Sequence, residues 1–301
     1  MPLPQPTPTT TALVTGASSG IGADLARELV ARGHGVTLVA RREDRLRELA
    51  DELGGTVRVE VIGCDVADPA ARAELFPEAE RRGLTVDILI NNAGVGTIGP
   101  VVDSTPEAEV AQVRVNVEAL IDLTTRAVQQ MVPRGRGAIL NVGSTAGFQP
   151  FPGQSGYAAT KAFVRSYTDG VRGEVAGTGV TVAALHPGPV RTEFLETAGM
   201  DERTFAAAFP RFMWVPSATV AKAGIDALAH DRGAVIPGLQ NEIPARLFEL
   251  MPRRLLIPLL TSRHTDLRPP RPLPSTRHWL LPSAPVLMVS SAYLEAAALG
   301  G

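Results

Sequence analysis

The sequence has a single cysteine, Cys64, so no disulfide can form within the chain. It has no cluster of cysteine and histidine at the spacing of zinc ligands, and we expect no metal site. Acidic and basic residues nearly balance, with a formal net charge of −2, so nothing indicates the basic surface of a nucleic-acid-binding protein. The 45% hydrophobic and 20% charged content of the 301 residues is typical of a soluble globular protein.

Residues 1–9 carry neither the basic start nor the apolar stretch of a secretion signal. They are rich in proline and threonine, and we expect them to be disordered. A lone cysteine fits a reducing compartment, so the default location is the cytoplasm.

Between residues 10 and 240, short apolar runs alternate with segments of helical period. The runs have the composition of buried parallel strands. Such alternation predicts right-handed crossovers and an α/β, Rossmann-type doubly wound fold with a mostly parallel seven-stranded sheet and helices on both faces. The predicted strands are Ala12–Thr15, Val36–Val39, Val57–Ile62, Val86–Ile90, Ala138–Val142, Val180–Leu185 and Ala234–Ile236, and the predicted helices include Ile21–Ala31, Glu43–Leu53, Ala70–Arg82, Glu107–Met131, Gly156–Val175 and Ser217–Ala229.

A glycine-rich turn joins the first strand to the first helix. Glycines there let the backbone turn tightly and approach a pyrophosphate, whose charge is favoured at a helix N-terminus. Glycines also close ordinary turns, but this position in the fold favours a dinucleotide. The predicted contacts are Gly16, Ser18, Ser19, Gly20, Ile21 and Gly22.

The end of the second strand selects the dinucleotide. Sites that prefer NAD place an acid there to bind the adenosine ribose, whereas this chain has Arg41 and Arg42. Because guanidinium groups pair well with phosphate, we predict NADP(H), with Arg41 as the preferred contact to its phosphate. The alternative is that both arginines are only solvated at the start of the next helix.

Two further strand ends carry candidate ligands. Asp65 can accept a hydrogen bond from the adenine amino group, or it is a turn residue ahead of the helix start at Asp68-Pro69. Amides and small residues follow the fourth strand at its carboxyl end, where open α/β sheets bind ligands. The predicted cofactor contacts here are Asp65, Val66, Asn92, Ala93 and Gly94.

Lys161 is one of two lysines in a chain with twenty-seven arginines, and it follows Tyr157 by four residues. With three tyrosines, the chance expectation of this spacing is roughly 0.02. Positions i and i+4 share a helix face, so the phenol and the ammonium can point into one cleft.

These motifs resemble the short-chain dehydrogenase/reductase family in its compact, soluble branch. The resemblance covers about residues 10–238 and depends on six motifs in order: Thr15–Gly22, Asn91–Gly94, Asn116, Ser144, Tyr157 with Lys161, and Pro187-Gly188. It implies a single-domain oxidoreductase, often a homodimer or homotetramer, that interconverts carbonyls and alcohols.

The resemblance makes Tyr157 the general acid/base. A free phenol titrates near pH ~10, and lowering its pKa by about three units takes roughly 4 kcal/mol. A nearby ammonium and the positive ring of the oxidised cofactor both act in that direction. By resemblance Lys161 has this role and also binds the nicotinamide ribose, both suited to a compact ammonium.

The resemblance gives roles to two more polar residues. Ser144 would bind the substrate carbonyl, and Asn116 would hold a water for proton relay behind Lys161. The alternatives are a loop hydroxyl and a helix-packing amide. By resemblance the cofactor set also includes Tyr157, Lys161, Pro187, Gly188, Val190 and Thr192, the last two near the carboxamide, while His186 is predicted to be a packed strand-end residue.

Aromatic residues concentrate where the family has its substrate lid, and they indicate a hydrophobic carbonyl substrate. The alternative is that they pack the lid onto the domain or onto a partner subunit. The rings are Phe194, Phe205, Phe209, Phe212 and Trp214, with Phe148 and Phe151 near Ser144.

The C-terminal part departs from the family pattern. Residues 241–264 form an apolar segment of helical period that could cover the substrate cleft, or touch a membrane surface with Arg253 and Arg254 at its edge. Residues 265–301 are rich in proline and arginine and are predicted to be disordered, with no stable membrane insertion because their apolar stretch is short. The leucines of the possible cover are Leu247, Leu250, Leu255, Leu256 and Leu259.

The sequence therefore predicts an NADP(H)-dependent oxidoreductase that uses a tyrosine as general acid/base on a small, apolar carbonyl or alcohol. One alternative is a 3-oxoacyl reductase of lipid metabolism, whose carrier protein would favour a basic patch that the sequence does not clearly contain. The other is a non-catalytic sensor of nicotinamide nucleotides, which degenerate catalytic residues would favour, yet all four residues are present.

Overall fold

A computed structural model describes residues 3–194 and 209–262. Seven strands form one parallel sheet in the order β3-β2-β1-β4-β5-β6-β7. The predicted α/β fold and its seven parallel strands are thus confirmed. The strands are β1 (Thr10–Thr15), β2 (Val36–Ala40), β3 (Val59–Gly63), β4 (Thr85–Asn91), β5 (Gly137–Val142), β6 (Val180–Leu185) and β7 (Ala234–Val235).

Helices follow the strands and pack on both faces of the sheet. They are α1 (Gly20–Ala31), α2 (Glu43–Leu53), α3 (Pro69–Ala73), α4 (Leu75–Arg81), α5 (Pro106–Val113), α6 (Ala119–Arg134), α7 (Ser155–Glu174), α8 (Ser217–Ala229), α9 (Leu239–Leu250) and α10 (Arg253–Ser262). A π-helical turn, Arg114–Glu118, joins α5 to α6, and a 3₁₀ turn, Thr145–Phe148, follows β5.

The core has two layers, one on each side of the sheet. Leu13 and Val14 are both fully buried, yet they belong to different clusters of apolar residues. The same holds for Leu89 and Ile90. Because side chains alternate between the faces of a strand, a run that is apolar at every position is buried on both sides, as parallel sheets require.

Two predicted helices are interrupted. The segment predicted as Ala70–Arg82 is two helices, with a break at Glu74. Pro77 lies in the first turn of α4, where its missing N–H costs nothing, but it could not continue the hydrogen bonding of α3. The segment predicted as Glu107–Met131 contains the π-helical turn, which changes the direction of the side chains within it.

The N-terminal residues differ from the expectation of disorder. Leu3 packs against the core, and the backbone N–H of Thr10 donates to the carbonyl of Thr7. A short apolar contact and a turn are therefore enough to order residues 3–9 ahead of β1.

The C-terminal helices α9 and α10 expose most of their leucines. Leu247, Leu250, Leu255 and Leu259 are exposed, whereas Leu256 is buried. That these helices cover the substrate cleft stays a prediction. None of the described helices has the length and hydropathy to cross a membrane.

The predicted tail, residues 265–301, lies outside the described residues, as does Phe205 of the predicted lid.

Strand order determines where a ligand can bind. The chain runs outward from β1 to β3 and then returns to place β4 on the other side of β1. The connections after β1 and β4 therefore leave opposite faces of the sheet, which opens a crevice at the carboxyl ends of these two strands.

Candidate active site

The turn between β1 and α1 has no space for a side chain at its three glycines. Gly16 and Gly20 have φ values of +66° and +55°, in the left-handed region that favours glycine. A Cβ atom would lie 2.8 Å from the Cα of Ala93 at Gly16, and 2.8 Å from the Thr192 methyl carbon at Gly20. At Gly22 it would overlap the carbonyl oxygen of Gly16. All three predicted glycines are therefore required by the fold of this turn.

The N-terminus of α1 is suited to an anion. Ser19 precedes the helix, but its side chain makes no capping hydrogen bond, and the first turn contains no acidic residue. Backbone N–H groups at a helix N-terminus lack intrahelical partners and sit at the positive end of the helix dipole. The turn can therefore accept a pyrophosphate, and Ser18 and Ile21 lie on it as predicted.

Thr15 joins the glycine turn to the segment after β4. Its Oγ1 donates to the carbonyl of Ile90 (3.1 Å) and accepts from the backbone N–H groups of Asn92 (3.0 Å) and Ala93 (3.1 Å). The Asn92 amide donates in return to the carbonyls of Thr15 (2.9 Å) and Gly16 (3.2 Å). The structure thus brings two predicted cofactor-binding segments together, and Thr15 is a positioning residue that the sequence analysis left without a role.

Arg42 reaches the glycine turn. One of its terminal nitrogens donates to the hydroxyls of Ser18 and Ser19, both at 3.2 Å, and to the carboxylate of Glu193 at 2.8 Å. Arg41, which the sequence analysis preferred as the phosphate contact, is exposed at the end of β2. The structure therefore places both arginines at this end of the crevice but brings Arg42 onto the turn.

The loop after β3 is shaped by two aspartates. Asp65 is exposed, and its carboxylate accepts from the backbone N–H of Ala67 at 3.0 Å, so the turn role considered for it is real. Asp68 caps α3 by accepting from Ala70 at 2.8 Å. Val66 is buried, and its carbonyl accepts from the buried guanidinium of Arg72 at 2.7 Å.

Tyr157 and Lys161 lie on the same side of α7. The Lys161 Nζ is 5.7 Å from the centroid of the Tyr157 ring and donates to the carbonyl of Val142, at the end of β5, at 2.8 Å. Lys161 is only 4% exposed, and this burial lowers its pKa to about 8. The predicted pair therefore does share one cleft, beside the carboxyl edge of the sheet.

The pKa of Tyr157 departs from expectation. Burial raises the pKa of this phenol to about 12, and the side-chain hydrogen bond with Ser144 acts in the lowering direction. Burial is the larger of these two effects, and the lowering expected from Lys161 with the oxidised cofactor stays a prediction. At neutral pH the phenol therefore carries its proton. Ser144 also accepts from the backbone N–H of Ala146 at 3.1 Å, which fixes the start of the 3₁₀ turn.

Asn116 lies inside the π-helical turn and is buried. Its Oδ1 accepts from the backbone N–H of Val95 at 2.9 Å, and its Nδ2 donates to the Val95 carbonyl at 2.8 Å and to Thr160 Oγ1 at 3.0 Å. Thr160 donates in turn to the carbonyl of Tyr157 at 2.8 Å. Asn116 thus holds the loop after Gly94 against α7, and Thr160 is a link that sequence reasoning missed.

The segment after β6 is held by a residue from α9. The carbonyl of Pro187 accepts from Thr145 at 2.9 Å, and the space where Gly188 would carry a Cβ is filled by the buried side chain of Asn241. The Asn241 amide donates to the carbonyl of Met213 at 2.9 Å. Val190 is buried. Sequence reasoning missed Asn241, because α9 contains several other polar residues and its sequence does not single this one out.

The aromatic residues of the predicted substrate region lie in different surroundings. Phe194 packs on Tyr157, with ring centroids 5.4 Å apart. The Trp214 ring lies 5.4 Å from the Arg191 guanidinium, and Phe212 is exposed. Phe148 is buried with Ile236 and Ala245 beneath α9, and its contribution to the substrate pocket stays a prediction.

His186 is fully buried at the end of β6, as predicted for a packed residue. Its ring meets Phe148 edge-on at 5.1 Å, and neither ring nitrogen has a hydrogen-bond partner among the described residues. Burial, with smaller contributions from Arg165 and Lys161, lowers its pKa to about 3, so the ring is neutral at physiological pH. The described residues contain no cluster of His, Cys, Asp or Glu able to hold a metal ion.

Comparison with known proteins finds a family model, curated relatives and solved structures that this chain resembles. The family model for short chain dehydrogenases matches residues 10–203. The chain is 39% identical to an NADP-dependent 3-hydroxy acid dehydrogenase of Salmonella typhi over 195 residues, 64% of this chain and 78% of that protein. A short-chain dehydrogenase from Sphingobium yanoikuyae in complex with NADPH is similar in structure, with a TM-score of 0.71, 33% identity and coverage of 89% of this chain and 100% of that one. The bulky-bulky ketone specific alcohol dehydrogenase from Comamonas testosteroni has a TM-score of 0.66 and 30% identity, over 82% of this chain and 96% of that one.

The buried neutral state of His186 predicts a measurable acid sensitivity. The unfolded chain takes up a proton near pH 6.5, whereas the folded chain does so only near pH 3, so stability falls as the pH drops between these values. Each pH unit in that window costs about 1.4 kcal/mol. We expect His186→Leu to reduce the loss of unfolding free energy between pH 7 and pH 5, measured by urea denaturation. His230→Gln, at an exposed histidine, is the control, and an equal loss in both variants would contradict the assignment.

Proposed function

This chain belongs to the short-chain dehydrogenase family, and we propose that it reduces a hydrophobic ketone or aldehyde to its alcohol, or runs the reverse reaction, with Tyr157 as general acid/base. It is an oxidoreductase of hydroxyl and carbonyl groups that uses NADP(H), like the relatives whose names specify that cofactor. The observation that carries the proposal is the position of Tyr157, Lys161 and Ser144 at one edge of the sheet, next to the glycine turn.

The residues present fit the dinucleotide. The glycine turn leaves no Cβ in its path, and the first turn of α1 presents N–H groups without a competing carboxylate. Arg41 and Arg42 supply positive charge for the adenosine phosphate, and Asp65 keeps one carboxylate oxygen beyond its turn hydrogen bond for the adenine amino group. When bound, NADPH supplies the hydride that adds to the carbonyl carbon.

The proton comes from Tyr157. A phenol whose pKa is about 12 is fully protonated at neutral pH and can donate to the oxygen that becomes the alcohol. The Lys161 ammonium, 5.7 Å from the ring, favours the phenolate that this transfer leaves behind. Ser144 hydrogen-bonds at the phenol and can donate to the same substrate oxygen, which steadies the carbonyl for attack.

The position of Asn116 allows it to hold a water that relays protons to the site. Both of its N–H donors are engaged, and among the described residues Oδ1 accepts from Val95 alone, so one acceptor site stays available for a water. A small cavity lined by Asn116, Lys161 and Val142 lies beside this oxygen. A water there would connect to the Lys161 ammonium and let the site regain its proton after each turnover.

Apolar contact around Tyr157 favours a hydrophobic substrate. Phe194 packs on the phenol ring, and Gly96 brings backbone against the same two rings. A substrate with its own carboxylate would call for a cation at this position, but Lys161 donates to the backbone and sits behind the phenol. The relative that acts on bulky ketones supports the same substrate class.

Removing the phenolic hydroxyl tests the proposed chemistry. We expect Tyr157→Phe to retain NADPH binding and to lose kcat by ~10²-fold or more, the usual contribution of a general acid. Tyr167→Phe is the matched control, because Tyr167 lies on the same helix, where it stacks on Phe163, 5.5 Å away, and packs against the core. Stopped-flow oxidation of NADPH measures the rate, and a Tyr157→Phe enzyme with near-normal turnover would refute the role.

The arginine pair tests the cofactor assignment. We expect Arg41→Asp to weaken NADPH binding by about ten- to a hundredfold, the value of a charge-assisted hydrogen bond, and to leave NADH binding nearly unchanged. Arg42→Ala should weaken NADPH binding in the same direction. Arg47→Asp, on the exposed side of α2, provides the control for a change in net charge. Calorimetric titration gives both dissociation constants, and an unchanged NADPH to NADH ratio in both cleft variants would remove these arginines from the phosphate site.

A panel of carbonyl compounds tests the substrate class. With NADPH, aliphatic and aryl ketones should show higher kcat/KM than small polar or carboxylated ketones. Because Phe194 lies on Tyr157, Phe194→Ala should lower kcat/KM for the apolar members more than for the polar ones. Faster turnover of small polar ketones by the unmodified enzyme would exclude the hydrophobic pocket.

A further inference from the structure

The guanidinium of Arg42 is already occupied at the end of the crevice where the cofactor phosphate is expected. Its nearest partner is a carboxylate oxygen of Glu193, 2.8 Å away, and two weaker contacts go to Ser18 and Ser19. Glu193 lies in the segment after β6, more than a hundred residues from Arg42, so the pair bridges the two sides of the crevice. Both side chains keep close to half of their surface in solvent, at 47% and 41%.

We infer that Glu193 is a specificity-determining residue that competes with the adenosine 2′-phosphate for Arg42. A carboxylate and a phosphate offer a guanidinium the same geometry, so each can take the other's place. NADH has no 2′-phosphate and leaves the Arg42–Glu193 pair intact. NADPH must displace Glu193 or share Arg42 with it, so this carboxylate lowers the affinity for NADPH without affecting NADH.

The electrostatics around Glu193 agree with this role. The hydrogen bond from Arg42, together with the charge of Arg45, holds the pKa of the Glu193 carboxyl below its usual range, so the group is anionic at neutral pH. Ser19 also contributes to this lowering, which places the carboxylate directly against the glycine turn. A phosphate bound at Arg42 would therefore meet a fixed negative charge as well as an occupied guanidinium.

Removing the charge of Glu193 tests the competition directly. We expect Glu193→Gln to lower the Kd of NADPH by roughly twofold to fivefold, the range for an exposed ion pair, and to leave the Kd of NADH unchanged. The affinity for adenosine 2′,5′-bisphosphate should rise by the same factor, and that for adenosine 5′-monophosphate, which has no 2′-phosphate, should not change. Both probes lack the nicotinamide and do not reach Tyr157, so they report on the phosphate site alone. Glu52→Gln, which breaks the exposed Arg27–Glu52 pair, should change none of the four constants.

The double variant identifies the mechanism. With Arg42→Ala already in place, Glu193→Gln should give no further gain in NADPH affinity. A gain that persists in this background would show that Glu193 acts by general repulsion, and it would overturn the competition. Unchanged NADPH binding in the single variant would overturn it too. Weaker NADPH binding would do the same, since it would mean that Glu193 orients Arg42 for the phosphate.

This inference rests on the phosphate assignment within the proposed function, but the two fail separately. Affinities are measured without turnover. An enzyme that binds NADPH but reduces no carbonyl compound would refute the proposed reaction, and the competition could still be tested. If Arg42→Ala leaves NADPH affinity unchanged, the competition fails while the chemistry at Tyr157 is unaffected.

Discussion

The carboxamide of Asn116 is the contact on which the rest of the site depends. It closes two hydrogen bonds with the backbone of Val95 and a third with Thr160, which itself bonds to the carbonyl of Tyr157. The side chain of Asn116 therefore joins the loop after β4, the π-helical turn and α7. A buried amide that lost any of these partners would pay the full cost of desolvation, about 1–3 kcal/mol, so the arrangement favours one geometry. A regular α-helical turn would direct residue 116 elsewhere, which accounts for the π-helical geometry at this position.

The same edge of the sheet carries a buried positive charge that no described carboxylate neutralises. Lys161 is inside the protein, yet its Nζ donates only to a backbone carbonyl. Burial of an ammonium without an acidic partner is unfavourable and lowers its pKa to about 8. An unbalanced cation raises the stability of any negative charge that forms nearby. In the proposed mechanism the Tyr157 phenolate is such a charge, and a described carboxylate paired with Lys161 would remove that benefit.

Sequence reasoning succeeded where a residue's role follows from backbone geometry. The glycines at positions 16, 20 and 22 are required by positive φ values or by atoms that leave no room for Cβ, and such requirements can be recognised from spacing after a strand. The strands were found because their apolar runs are buried on both faces. Nearly all of the fold could therefore be predicted.

The missed features depend on partners far away in the chain. Thr160, Asn241 and Glu193 each act through a residue between 28 and 151 positions away, and no local pattern indicates the partner. The rise in the pKa of Tyr157 that burial causes was not foreseen, for a related reason. Spacing on a helix revealed the ammonium beside the phenol, but the degree of burial, which dominates, depends on how the loop at Gly96 and the ring of Phe194 close over it.

Three consecutive residues connect the two ends of the crevice. Thr192 packs its methyl group on Gly20, Glu193 pairs with Arg42, and Phe194 covers Tyr157. Three residues of extended chain span about 10 Å at most, so a shift at one of these positions must be shared by the others. A change in the partner of Glu193 therefore acts on the residue next to Phe194, whose ring packs on Tyr157. In the proposed function, recognition of the cofactor phosphate and closure of the apolar wall around the substrate would both depend on this one short segment.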